Sequence, residues 1–206
     1  KSWQKFKKHP NYFMLRDQPP LMNFLCDQKW LSSLPEGSLG QHYYAFLQSE
    51  NISAEGLADA SEKGLSGLRE LTNGEIEFHQ RQRDAHDLWH VLTGYGRDAL
   101  GELCLLAVTY RLLSNPGLLL IIFFGGRHIK KLNPGFKFWS AIREGFSHGR
   151  QMVWLPGVDW KEVLPRPIDE VRSMLNIQTP EIYHDIIKTT QCQGGIHFDE
   201  QLSAAE

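Results

Sequence analysis

Residues 86–102 read HDLWHVLTGYGRDALGE, and the way this stretch folds decides how the rest of the chain is arranged. His86 and His90 stand one turn apart on one helical face, the spacing at which a helix offers two imidazoles to one metal ion. Asp87 lies about 100° round the helix from His86 and about 60° from His90 on the other side. It can flank the same ion, or accept a hydrogen bond that fixes an imidazole tautomer. Glu102 is harder to place. On one continuous helix it would stand about 18 Å beyond His90 and about 120° off that face. Gly94 and Gly96 stop the helix, and a second helix folding back from them can bring Glu102 opposite the histidines. The expected element is a helical hairpin. Two imidazoles with one or two carboxylates suit Zn²⁺, or Fe²⁺ with open positions, whereas more carboxylate and water favours Mg²⁺ or Mn²⁺. Histidines four apart are also common on helices that bind nothing, and Arg97 and Asp98 have a plain alternative role as cap and dipole partners of a first turn.

Working outward, the hairpin sits between helical segments. Upstream, a long helix from Glu75 carries Ile76, His79, Arg83, His86 and His90 along one face. Downstream, DALGELCLLAVTYRLLSN is apolar nearly all round between Leu103 and Val108, which predicts a helix in the middle of its domain. Asn115-Pro116-Gly117 ends it. The run LLLIIFF follows and is expected to stop at Gly125-Gly126, with Arg127, His128, Lys130 and Lys131 beyond. Asn133-Pro134 opens a helix carrying Phe136, Trp139, Ile142, Arg143, Phe146 and Arg150. Short helical turns follow at Trp160 and from Pro167.

Before the hairpin, Pro19-Pro20 opens one helix over LMNFLCDQKWLSSL. A second from about Ser38 puts Leu39, Tyr43, Phe46 and Leu47 on one face, and a third is expected from Ser53 to about Lys63, with Gly64 and Gly67 as punctuation. The first residues mix Lys1, Lys5, Lys7 and Lys8 with Trp3, Phe6, Tyr12 and Phe13. They read either as a solvated basic end with docked aromatics or as an interfacial anchor. No sustained period-two alternation occurs, so the expectation is all-α: a single-domain helical bundle over residues 1–188, with a loosely held tail over 189–206. Its central feature is the expected hairpin with the candidate metal ligands.

Bulk composition narrows the function classes. The chain has 206 residues, enough for one good-sized core. Its 22 basic and 24 acidic residues leave a net charge of -2, which gives no reason to expect a nucleic-acid partner. Cys26, Cys104 and Cys192 are scattered and form no Cys-x-x-Cys, so a thiolate zinc site and a disulfide framework are both disfavoured and a reducing setting fits. The apolar run Leu118–Phe124 is far short of the roughly 20 residues a spanning helix needs. A soluble or peripheral protein is expected.

The pattern His86-Asp87-x-x-His90, eleven residues, then Glu102, resembles the signature of the coenzyme Q (ubiquinone) biosynthesis protein 4 family. So do VLTGYGRDALGELCLLA, the HGR of residues 148–150, VDWKEVLPRPIDEVRSMLNI and the upstream LPEGSLGQHYYAFL, so that the likeness spans residues 15–177. The resemblance implies an all-α protein peripheral to a membrane, with a divalent ion (Zn, Fe or Mg) at His86, Asp87, His90 and Glu102. It implies a part in quinone ring chemistry on a substrate with a polyprenyl tail, in company with other quinone-biosynthesis proteins, and leaves a homodimer open. No clear mitochondrial transit sequence is visible, which points to bacterial cytoplasm at the inner membrane, or to the matrix face of the mitochondrial inner membrane in a eukaryote.

Two activities compete under that resemblance. One is oxidative decarboxylation of a prenylated hydroxybenzoate, hydroxylating the vacated ring carbon, with Asp87 or Glu102 moving the proton. The other is a non-catalytic lipid-binding scaffold that organises the other enzymes. Arg97, Arg143 and Arg150 are candidates to meet an anionic head, and Leu106, Leu113, Phe136, Trp139 and Phe146 to line a tail trough; pairing at the surface and ordinary core packing are the respective alternatives. A more distant reading combines His79, His86, Asp87 and Asp98 as a His-Asp metal phosphohydrolase.

Overall fold

The computed structural model describes residues 1–50 and 71–192. The regular elements among them are helical, and the one β-bridge, Ser38 with Pro167, is isolated. The all-α expectation holds. Two compact units divide the chain: residues 1–92 with 153–176, and residues 93–152 with those from 177 onward.

In the first unit, α1 (Ser2–Lys7) docks Trp3 and Phe6 inward, and α2 (Tyr12–Arg16) buries Leu15 while Phe13 stays exposed. Phe6 is buried, and the rings of Trp3 and Phe6 pack on Phe78 with centroids 5.9 and 4.9 Å apart. Lys1, Lys7 and Lys8 stay exposed. The segment expected as one helix after Pro20 is two, α3 (Met22–Leu25) and α4 (Gln28–Ser33). Asp27 restarts the helix, its carboxylate accepting the Trp30 backbone N–H at 2.9 Å. In α5 (Leu39–Ser49), the Ser38 hydroxyl oxygen accepts from the Gln41 N–H, and Leu39, Tyr43 and Leu47 are buried as the periodicity predicts. The helix expected from Ser53 to Lys63, with Gly64 and Gly67, lies outside the described residues.

The long helix expected from Glu75 is interrupted at Ala85, giving α6 (Asn73–Asp84) and α7 (His86–Thr93). No proline or glycine marks the break, and the local residue types do not account for it. Residues 153–176 return to this unit with a 3₁₀ turn (Leu155–Gly157), α11 (Trp160–Val163) and α12 (Ile168–Met174). They lock onto the start of α5 through the backbone: Leu39 N–H donates to Arg166 O at 2.9 Å, Gly40 N–H to Leu164 O at 2.8 Å, and Ile168 N–H to Gly37 O at 3.0 Å.

In the second unit, α8 (Ala99–Leu113) is buried on most of its circumference, at Leu100, Leu103, Cys104, Leu105, Ala107, Val108 and Leu112. Its main partner is α10 (Phe138–Gln151). Two glycines one turn apart let the backbones meet. A Cβ on Gly145 would stand 2.5 Å from the Cys104 carbonyl oxygen, and one on Gly149 2.8 Å from Val108 Cα. Gly125-Gly126 does not stop the apolar run: α9 continues from Gly117 to Leu132. These glycines are contact points, since a Cβ on Gly125 would meet Leu103 at 2.8 Å and one on Gly126 the Trp139 ring at 2.6 Å. The packing gained there offsets the roughly 1 kcal/mol a helical glycine costs. The opposite face of α9 is apolar yet open, with Leu120 62%, Ile121 54% and Phe124 65% exposed.

The helix expected to open at Asn133-Pro134 begins later, at Phe138, because residues 133–137 form a link in which Lys130 Nζ donates to the Pro134 and Phe136 carbonyls at 2.9 and 3.1 Å. The last helix, α13 (Glu181–Cys192), runs past Lys188 into the stretch expected as tail, and residues 193–206 lie outside the described residues.

Candidate metal centre

Helix α7, up to Leu92, belongs to the first unit and presents two faces. Leu88, Trp89 and Leu92 are buried, and His86 and Asp87 are half-buried. His90 is 2% exposed. The imidazoles of His86 and His90 meet edge to face with centroids 4.7 Å apart, and a ring nitrogen of each lies within 4.8 Å of the other. The Asp87 carboxylate stands 3.8 Å from His86 Nδ1. The 3.6-residue period therefore does what the spacing predicts: it converges two imidazoles, with a carboxylate beside them.

Helix α5 supplies two neighbours that spacing alone did not single out for the site. Phe46 stacks on His90, with centroids 6.3 Å apart and planes within 14°. Tyr43 is fully buried, and its hydroxyl makes no hydrogen bond among the described residues. Burial pushes its pKa up, and the fields of Asp87, Cys26 and Asp84 push the same way. Arg172, within the family-like word VDWKEVLPRPIDEVRSMLNI, donates to the Leu92 and Val91 carbonyls at 3.0 and 3.2 Å. A guanidinium there satisfies otherwise unpaired carbonyls at the end of α7 and complements its dipole.

The link after α7 and the start of α8 belong to the second unit. Gly94 has φ +76°, the left-handed region that favours glycine, so the chain can turn sharply there. Asp98 caps α8: its Oδ1 accepts the backbone N–H groups of Leu100 and Gly101, each at 3.1 Å. Its Oδ2 accepts the Tyr183 hydroxyl proton, and the Tyr183 oxygen in turn accepts the Gly96 N–H at 2.9 Å. With both oxygens engaged as a cap and in this bond, Asp98 fills the plain structural role foreseen for it, and the combination with His79 as a phosphohydrolase site loses a member. A side chain on Gly101 would collide with the Gly96 carbonyl, so the link folds tightly onto the first turn of the helix. Glu102 sits in that first turn, half-buried.

Arg97, Arg143 and Arg150 are exposed, whereas Leu106, Leu113, Phe136, Trp139 and Phe146 are each half-buried, neither sealed in a core nor fully in solvent. Tyr110 and Phe146 meet edge-on at 5.8 Å, and Phe123 and Trp139 lie 6.5 Å apart. The donor set on α7 fits a first-row divalent ion: imidazoles are borderline-soft ligands suited to Zn²⁺ or Fe²⁺, and an adjacent carboxylate adds charge without forcing closure of the coordination sphere.

A model of the family described as coenzyme Q (ubiquinone) biosynthesis protein Coq4 matches residues 6–181. The chain belongs to the Coq4 family. Among curated Coq4 proteins, the mitochondrial ubiquinone biosynthesis protein coq4 of Penicillium rubens is 30% identical over 200 residues, covering 93% of this chain and 65% of its own length. That of Uncinocarpus reesii is 29% identical over 181 residues, covering 85% of this chain and 60% of its own. The chain thus spans less than two thirds of the length of these relatives. A Nostoc punctiforme crystal structure, provisionally assigned to ubiquinone biosynthesis, shares the fold with a TM-score of 0.63 at 21% identity, over 86% of this chain and 80% of that one. No helix among the described residues is long and apolar enough to cross a membrane.

Proposed function

We propose that this Coq4 chain serves ubiquinone biosynthesis as a divalent-metal protein, with His86, His90 and Glu102 as ligands and Asp87 as a further ligand or as the group that orients His86. The observation that carries this reading is the His86–His90 pair, with ring nitrogens within 4.8 Å and the Asp87 carboxylate alongside. The chain path supports Glu102 as the third ligand. His90 lies in the last turn of α7 and Glu102 in the first turn of α8, and only the short link Gly94–Asp98 separates those helices.

The substrate class is a benzoate ring bearing a polyprenyl tail. The ring carbon loses its carboxylate as carbon dioxide and gains a hydroxyl from water, a two-electron oxidation in which dioxygen accepts the two electrons and two protons and leaves as hydrogen peroxide. A bound divalent ion supplies Lewis acidity toward the ring carboxylate or an adjacent hydroxyl. Asp87 or Glu102 takes up or returns the proton. Arg97, Arg143 and Arg150 meet the anionic head, and their exposure leaves them accessible to a ligand. Leu106, Leu113, Phe136, Trp139 and Phe146 line the tail, and their half-burial supports that role. Purified protein should convert a prenylated hydroxybenzoate only with metal and dioxygen present; no turnover under any metal or oxygen condition would remove the catalytic reading.

A second reading has its own support in the open apolar face of α9. Leu120, Ile121 and Phe124 are more than half exposed, and Arg127, Lys130 and Lys131 stand on the same helix. Such a face suits peripheral contact with a membrane. In this reading the protein holds a prenylated intermediate at a lipid surface for the other quinone-biosynthesis proteins. Co-purified prenyl lipid that is lost in His86→Ala, without any turnover, would favour it.

A further inference from the structure

The helix α13 contributes no ligand to the proposed site, yet its first turn grips the link that leads into Glu102. The Tyr183 hydroxyl donates to Asp98 Oδ2 and accepts the Gly96 N–H at 2.9 Å. Next to it, His184 Nε2 lies 3.0 Å from the Gly94 carbonyl oxygen. The first turn of α13 is itself anchored: Glu144, on α10, accepts the backbone N–H groups of Ile182 and Tyr183 at 3.1 and 3.2 Å. Tyr183 is 4% exposed, and its ring meets Tyr95 edge-on at 5.3 Å, so its hydroxyl has little freedom to turn away. The site of contact admits no side chain. A Cβ on Gly96 would stand 2.6 Å from the Tyr183 oxygen and 2.9 Å from Asp98 Oδ2.

We infer that Tyr183 is a positioning residue for the metal centre: through Asp98 and Gly96 it fixes the first turn of α8, and so the place of the Glu102 carboxylate. The inference rests on the reading of Glu102 as a ligand. Its physical basis is a three-point clamp. Asp98 holds the N–H groups of the first turn with one oxygen and Tyr183 with the other, while Tyr183 holds Gly96, three residues after the last residue of α7. A first turn with an open cap frays. A ligand carried on a fraying turn must be ordered by the ion itself, and that ordering subtracts from affinity. Groups that orient a ligand without touching the ion typically contribute about 10- to 100-fold to metal affinity.

The test is Tyr183→Phe, which keeps the ring and its packing on Tyr95 and removes only the hydroxyl. Binding of Zn²⁺ to the purified chain, read by competition with a chromophoric chelator, should weaken by about 10-fold or more, with helical content by circular dichroism unchanged. Amide hydrogen exchange should speed up over residues 96–102. Ile186→Ala, which truncates a buried residue of the same helix, separates positioning from general loosening, because it should lower the melting temperature and leave Zn²⁺ affinity near wild type. Tyr183→Phe should cost less in an Asp98→Asn background than in the wild type, since the two residues share one bond and the Gly96 bond is what remains to be lost. Wild-type affinity in Tyr183→Phe, or equal losses in Tyr183→Phe and Ile186→Ala, overturns the inference. His86→Ala separates this from failure of the metal reading itself: if the wild type binds Zn²⁺ no better than His86→Ala, the centre is misassigned and the positioning role falls with it.

Discussion

At the crossing of α8 and α10 two helix backbones approach closely enough to be sensitive to a single added carbon, and Gly145→Ala tests it. The new Cβ would lie 2.5 Å from the Cys104 carbonyl oxygen, 3.2 Å from its carbon and 3.3 Å from Ala107 Cβ. The near neighbour is backbone inside a helix and cannot swing aside as a side-chain end could. Relief requires α10 to lift from α8 by somewhat less than 1 Å. A gap of that size forfeits about a quarter to a half of each dispersion contact across the seam, and inserting a methylene into a packed core typically costs about 1–3 kcal/mol. Because the neighbour is rigid backbone the upper part of that range applies, about 2–3 kcal/mol; replacing glycine by alanine in a helix returns about 1 kcal/mol, so a net loss of about 1–2 kcal/mol is expected. Gly135→Ala is the control, because nothing lies within 4 Å of its added carbon. Urea unfolding followed by circular dichroism measures both. Gly145→Ala should lower the midpoint at unchanged slope, and Gly135→Ala should leave it within error. A Gly145→Ala protein as stable as wild type would refute the close-crossing account of the glycines in α10.

Other expectations follow from the same contacts. Asp98→Ala removes a cap of about 1 kcal/mol and the charged acceptor of the Tyr183 hydroxyl, a bond of about 1.5–3 kcal/mol; calorimetry should show a loss of roughly 2–4 kcal/mol, with Asp98→Asn intermediate. Stability should also fall on mild acidification. Burial holds the pKa of both His79 and His148 below their ordinary 6.5, so the unfolded chain binds protons more readily there. The stability this confers is complete above pH 6.5 and drains away as pH falls toward the folded values. Urea midpoints between pH 7 and 5 should decline, and His148→Gln should flatten that decline; an unchanged slope would show that His148 is not protected in the folded state.

The parts of this fold legible in sequence are those governed by period and punctuation. The one-turn spacing of His86 and His90, the all-round apolar character of α8 and the turn at Gly94 are local properties, and the structure carries them over directly. Glycine is more than a breaker in this chain. Gly125 and Gly126 continue α9 because Leu103 and Trp139 press against them, a fact about neighbours more than twelve residues away in sequence. The restart at Asp27 was legible in principle, since an aspartate before a helical run is a cap signal, but the apolar pattern on either side masked it. Tyr183 and Arg172 had no local signature at all. Their roles come from hydrogen bonds to Asp98, Gly96, Leu92 and Val91, eighty or more residues distant. The periodicity puts Tyr43 and Phe46 on one apolar face of α5, which is where they lie, whereas spacing carries no sign that Phe46 stacks on His90.

The central claim is that His86, His90 and Glu102 share one divalent ion, and direct titration of the metal-stripped full chain tests it. Zn²⁺ or Co²⁺ should bind at about one equivalent, with the Co²⁺ complex showing absorption characteristic of mixed nitrogen and oxygen ligation. His86→Ala, His90→Ala and Glu102→Ala should each abolish that spectrum while helical content is retained. Glu102→Ala binding Co²⁺ with wild-type affinity and spectrum would contradict the account, because the ion would then be held without a ligand from α8.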